Sequence, residues 1–152
     1  MATVHLVVGV LLLALNLAAG VVGAWAWLRV QPSLVFWRLL RAGQAAIVVQ
    51  VLLGALLLVL GHSPDGDLHI LYGVLPLAIA FIAEQLRIGS AEAILDSRGF
   101  ASSQDVGELP ADEQRVVVLS IVRREVGVMT ISCFVIVVLA LRAAGEAGAI
   151  PL

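Results

Sequence analysis

The chain has 152 residues, of which 61% are hydrophobic and 13% charged, with a net charge of −2 and a mean hydropathy of +1.07. Soluble domains run about 45–50% apolar and about 25% charged, so this composition excludes an ordinary soluble domain. The apolar residues fall in runs long enough for a bilayer, which predicts an integral membrane protein. All nine basic residues are Arg, and no basic block or tail is present, so neither nucleic acid nor a polybasic lipid patch is an expected feature. Arginine without lysine, beside abundant Ala, Val, Leu and Gly, has the look of a high-GC bacterial gene. A bacterial cytoplasmic membrane is therefore the expected location.

The first apolar run, Val4 to Leu28, contains no Asp, Glu, Lys or Arg and reads as a transmembrane helix over about 4–28. Ala24-Trp25-Ala26 matches a signal-peptidase pattern, but no basic residue precedes the run and the run exceeds the usual apolar segment of a signal peptide. Gln31-Pro32-Ser33 breaks the helix, with Pro32 expected in the first turn of the next. The second span covers about 34–60 and ends at the turn-forming stretch from Gly61 to Asp67. The third covers about 68–88, with Pro76 inside it, and is expected to continue helically to Ser97 with Gly99 as its stop.

Residues 89–124 make up the longest polar region, with a solvated loop over 103–110. Pro110, Asp112 and Glu113 then mark a helix start, Pro110 taking the first helical position. Arg123-Arg124-Glu125 is too costly for mid-bilayer, so the fourth span is set at about 126–143, with the preceding residues as a helical extension at the membrane surface. The expected architecture is an all-α, four-helix membrane bundle in one domain, 1–152. Helices 3 and 4 are extended on the cytoplasmic side.

Arginines gather around the first and third connections, and only Arg142 belongs to the opposite side. The positive-inside rule then places both termini outside, with Trp25, Trp27 and Trp37 at the inner interface.

Helical periodicity sorts the polar and small residues of each of the first three spans onto one stripe. His5, Gly9, Asn16, Gly20, Gly23 and Trp27 share a face of the first helix; Gly43, Gln50, Gly54 and Gly61 share one on the second. On the third, the stripe runs from His69, Tyr72 and Gly73 through Pro76, Ala80 and Ala83 to Glu84 and Arg87. Small residues permit close contact and polar ones avoid lipid, so these stripes should face one another. Asn16 and Gln50, both near mid-span, are expected to hydrogen-bond across the first two helices as structural glue. Glu84 and Arg87, three residues apart, are expected to form an ion pair that includes Arg38 or Arg41. The functional alternative makes Glu84 a proton or cation site. Cys133, the single cysteine, is read as a small apolar residue, with pairing between subunits as the alternative.

His5, His62 and His69 all fall on the external side, with Asp65 and Asp67 between the latter two and Tyr72 one turn further in. Imidazoles ligate metals and haem iron and can bind a quinone headgroup. This makes His5, His69 and Tyr72 the candidate cofactor site and His5, His62 and His69 the candidate metal ligands. No nucleophile with a base, no ligand set of usual metal spacing and no phosphate-binding glycine loop is present, so the chain reads as a non-enzyme with no obligatory cofactor.

The leading expectation is a scaffold or accessory subunit that contacts a membrane-protein partner, or a second copy, through residues 89–124. The rival is a haem-, metal- or quinone-binding electron-transfer module built on His5 and His69. A third reading is an oligomeric channel or transporter lined by Asn16, Gln50 and Glu84.

Overall fold

A computed structural model describes residues 2–64, 66 and 68–148. The regular structure among them is all helical: α1 (Ala2–Arg29), α2 (Leu34–Val59), α3 (His69–Ile88), α4 (Ser90–Ser97), α5 (Ser103–Gly107) and α6 (Ala111–Glu146). Four of these, α1, α2, α3 and α6, are long and apolar enough to cross a membrane. Even the shortest, α3 with 20 residues, is about 30 Å long, the thickness of a bilayer core. Large apolar side chains cover the outside of the bundle; Leu28 is 79% and Val59 84% exposed, a surface that suits lipid and not water. The chain is a multi-pass membrane protein.

Each helix stops for a local reason. The α1 terminus is a Schellman turn in which the Gln31 amide donates to the Ala26 carbonyl and Val30 takes the left-handed conformation, φ 52°. The ends of α2 and α4 repeat the motif with Gly61 and Gly99, both at positive φ, as Gly99 was expected to do. Pro32 lies in the connection, two residues before Leu34 and so outside the helical turn expected for it. Ser33 instead caps α2, its hydroxyl accepting from the Phe36 amide at 3.2 Å.

The region after α3 differs from its expected form. Helix 3 does not run unbroken to Ser97; it ends at Ile88, and after Gly89 a separate α4 begins. The stretch 103–110 is not a plain loop, because Ser102 and Asp105 form a capping box that nucleates α5. Asp105 accepts from the Ser102 and Ala101 amides and the Ser102 hydroxyl, which holds its carboxyl below the usual aspartate range. Pro110 is the N-cap of α6 and Ala111 its first residue. At 36 residues, about 54 Å, α6 is far longer than a bilayer is thick. Its N-terminal part carries α4 and α5: Arg98 donates to Ser120 at 2.9 Å, and Gln114 to the Gly107 and Leu109 carbonyls at 3.0 and 2.8 Å.

The four long helices form a ring in the order α2, α1, α6, α3. The pairs α1–α2, α1–α6 and α3–α6 are in extensive contact, whereas α2 and α3 meet sparsely. One end of the ring carries His5 and His69, the other Arg41 and Arg87. Packing along its axis is uneven. At the arginine end Ala19, Ala26, Phe36, Leu40, Ala83, Val126, Met129 and Cys133 form one buried cluster, and Leu12, Ala46, Ile47, Ala80 and Ile136 form another at mid-depth. No residue of α1 before Leu12, of α2 after Ile47 or of α3 before Pro76 is buried. The bundle is solid through one half and loose through the other. Cys133 is fully buried within one chain, so it is not placed to pair between subunits.

Candidate ligand cavity

The α1–α2 interface is built from bulky side chains seated on glycines of the opposite helix, in one constant register. His5 faces Gly54, Gln50 faces Gly9, Asn16 faces Gly43, and Phe36 faces Gly23. This register overturns the expected Asn16–Gln50 hydrogen bond. The two amides lie on the expected facing stripes but at different depths. Asn16 Nδ2 donates to the Leu12 carbonyl of its own helix at 2.9 Å, and Gln50 Nε2 donates to His5 Nε2 at 3.1 Å.

His69, from the start of α3, brings its ring centre to 6.2 Å from that of His5, the two planes inclined by 57°. His69 Nδ1 donates to the Ala143 carbonyl of α6 at 2.8 Å, a carbonyl that also accepts from the Ala147 amide at 3.2 Å. The two histidines of the candidate cofactor site therefore lie side by side, and each has one nitrogen tied to a neighbouring helix.

Beside them lies a cavity of about 690 Å³, walled by all four long helices and by His62, Ser63 and Pro64 of the α2–α3 connection. Its polar lining is His5, Gln50, His62, His69 and Tyr72, with Thr3 and Ser63; the rest is apolar or glycine. No Asp, Glu, Lys or Arg lines it among the described residues. Asp65 and Asp67, grouped with the histidines by sequence, lie outside the described residues. Small residues at this level, Gly54, Gly73, Ala140, Ala143 and Ala144, leave the space unfilled. His62 is exposed, and no group of three or more metal-ligating side chains gathers among the described residues. Tyr72 has the Arg142 guanidinium 5.5 Å from its ring centre, and Arg142 in turn pairs with Glu146 at 3.1 Å. Among the described residues, the side-chain atoms buried without partners are His5 Nδ1 and Gln50 Oε1, both on cavity-lining residues, together with Asn16 Oδ1 and Thr130 Oγ1 deeper in the packed half.

At the opposite end Glu84 ties α3 to α2, and Arg87 carries the network on to α6. Its Oε1 accepts from Arg41 and, at 2.8 Å, from Gln44 of α2; its Oε2 accepts from Arg87 Nε at 2.8 Å. Arg87 also lies 3.9 Å from Glu125 of α6, and Trp37 packs beneath the guanidinium groups of Arg41 and Arg87. The expected Glu84–Arg87 pair is present with Arg41 as its third member, while Arg38 is exposed and takes no part. Both carboxylate oxygens are occupied, the arrangement of a clamp across the otherwise thin α2–α3 seam. Sequence reasoning missed Gln44 and Glu125 here. The signal for Gln44 was its position one turn beyond Arg41 on α2, but the partner across the seam was not visible.

The chain matches no protein-family model, and no curated protein or solved structure matches it significantly.

Proposed function

We propose that this chain is a non-enzymatic membrane protein that holds one neutral, lipid-soluble small molecule in the cavity at its histidine end. The observation that supports this reading is the lining: about 690 Å³ of largely apolar space with a few hydrogen-bonding groups and no charged side chain among the described residues. Ligand sites of about 300–1,000 Å³ have this character. A protein that served only as a scaffold would gain stability from larger side chains at Gly73 or Ala140, since filling a hollow restores both apolar transfer and packing. A metal ion alone would use little of the volume, and haem brings two carboxylates for which the described lining offers no cation. The arginine asymmetry supports an orientation with the histidine end on the outer face, and the arginine-only composition a bacterial cytoplasmic membrane as the location.

The test is titration of the protein in lipid nanodiscs with an uncharged apolar fluorophore. Saturable binding of one molecule per chain is expected. It should vanish in Gly73→Phe, where an added side chain enters open space lining the cavity, and persist in Val138→Phe on the exposed face of α6. Unsaturable partitioning, equal in all three proteins, would refute the reading.

A further inference from the structure

We infer that the occupant of this cavity is headed by a hydroxyl group, carried on an apolar body, and that His5 and His69 bind that hydroxyl together; the inference rests on the cavity being a ligand site. The hydrogen-bond pattern of the two rings carries it. An amide nitrogen can only donate, so Gln50 Nε2 leaves His5 Nε2 as the acceptor and puts the proton of the neutral ring on Nδ1, which is buried without a partner among the described residues. A carbonyl can only accept, so the bond to Ala143 puts the proton of His69 on Nδ1 and leaves its Nε2 bare, with no hydrogen bond among the described residues. One ring therefore offers an N–H and the other a lone pair.

No hydrogen bond joins the two rings directly, and their centres are 6.2 Å apart. With nitrogen–oxygen distances of about 2.8 Å, that separation suits one oxygen atom between them. An oxygen that accepts from His5 and donates to His69 is a hydroxyl. A carbonyl oxygen satisfies His5 and leaves His69 Nε2 unpartnered; a carboxylate does the same and also meets no cation in the described lining. The rest of the molecule is apolar, because Leu58, Ile70 and Val74 line the cavity and are also exposed on the apolar outer surface. These three belong to α2 and α3, the pair in thinnest contact, so the body of the ligand leaves the polar head sideways toward lipid. Two kinds of molecule share this chemistry: an aromatic hydroxyl such as a hydroquinone with an isoprenoid tail, and an aliphatic one such as a polyprenol.

Displacement of the bound fluorophore from protein in nanodiscs separates the cases. The competitors are an isoprenoid hydroquinone, its O-methylated ether, the corresponding quinone, and a polyprenol with the same tail. One or both hydroxyl compounds are expected to displace at concentrations at least about tenfold lower than the ether or the quinone, because the latter leave a site acceptor unpaired. Which of the two displaces better identifies the source. His69→Phe should retain the fluorophore and abolish the preference for hydroxyl over ether; Gln50→Leu, which frees His5 Nε2, is the second variant should the first fail to fold. Equal displacement by hydroxyl compounds, ether and quinone in the native chain overturns the inference while leaving the cavity a binding site. Failure of the fluorophore itself to bind overturns the proposed function instead.

Discussion

Gly23 and Gly73 are both helix-interior glycines on bundle-facing stripes, yet alanine at the two positions should change stability in opposite directions. A methyl at Gly23 would meet Phe36 Cε2 at 2.6 Å and Cδ2 at 2.9 Å, and Thr130 Oγ1 closer still. Phe36 is fully buried and cannot swing away without opening the core at the arginine end. Overpacking of this kind costs about 1–3 kcal/mol, against a gain of about 0.5–1 kcal/mol for replacing glycine inside a helix, so Gly23→Ala should lose about 0.5–2 kcal/mol. At Gly73 the same methyl meets nothing within 4 Å. Gly73→Ala should therefore keep the whole helix gain, about 0.5–1 kcal/mol. Reversible unfolding in mixed micelles, followed by far-ultraviolet circular dichroism, reads both. Shifts of the same sign and similar size would refute the claim that the bundle is packed at one end and hollow at the other.

Val30 holds a left-handed conformation that costs a β-branched residue about 1–2 kcal/mol, so Val30→Gly should raise the unfolding midpoint by roughly that free energy, and a lowered midpoint would contradict the Schellman assignment. Glu84→Gln removes the charged acceptor shared by Arg41, Gln44 and Arg87 and should destabilise by about 1–3 kcal/mol, whereas Arg41→Ala, whose side chain is half exposed, should lose less than about 1 kcal/mol. Equal losses in the same unfolding assay would show that Glu84 is not the hub. Asp105 has its folded pKa depressed by the Ser102 and Ala101 amides, so the stabilisation of α5 is complete above the ordinary aspartate pKa and disappears as pH falls through the depressed folded value. The protection of the residue 103–107 amides, taken relative to their intrinsic exchange rates, should fall across that acidic window in the native chain, and Asp105→Asn should flatten the dependence.

The bundle was legible because lipid imposes a simple rule: apolar side chains point out and polar or small ones point in, which periodicity alone resolves. The stripes on α1 and α3 match the observed faces, with Asn16, Gly20, Gly23, Pro76, Ala80 and Ala83 all buried. Periodicity fixes a face but not an axial position, and the Asn16–Gln50 pairing failed for that reason. Counting outward from the α1–α2 turn, with Arg29 opposite Leu34, would have opposed Asn16 to Ile47 and Gln50 to Leu13, one turn from the observed Gly43 and Gly9 but already too far apart for the two amides to meet.

The hollow was hidden for a different reason. A run of small residues signals either close helix approach or an unfilled space, and the same spacing serves both. Gly20 and Gly23 admit Phe134 and Phe36, whereas Gly73 adjoins open space. The breaks around α4 and α5 depend on one glycine junction and one Ser–Asp cap, signals too local for hydropathy to register. The sequence placed His5 and His69 at the start of two bundle-facing stripes and left open whether they meet; the bonds to Gln50 and Ala143 that set the proton on each ring were not visible in it.

The most direct measurement is an experimental density map of the protein in lipid nanodiscs at a resolution that shows side chains. The account predicts α2 and α3 held together at Glu84 and parted toward the histidine end, with an elongated density whose head sits between the rings of His5 and His69. A map in which α2 and α3 close along their whole length, and side chains fill the space beside Gly54 and Gly73, would contradict it.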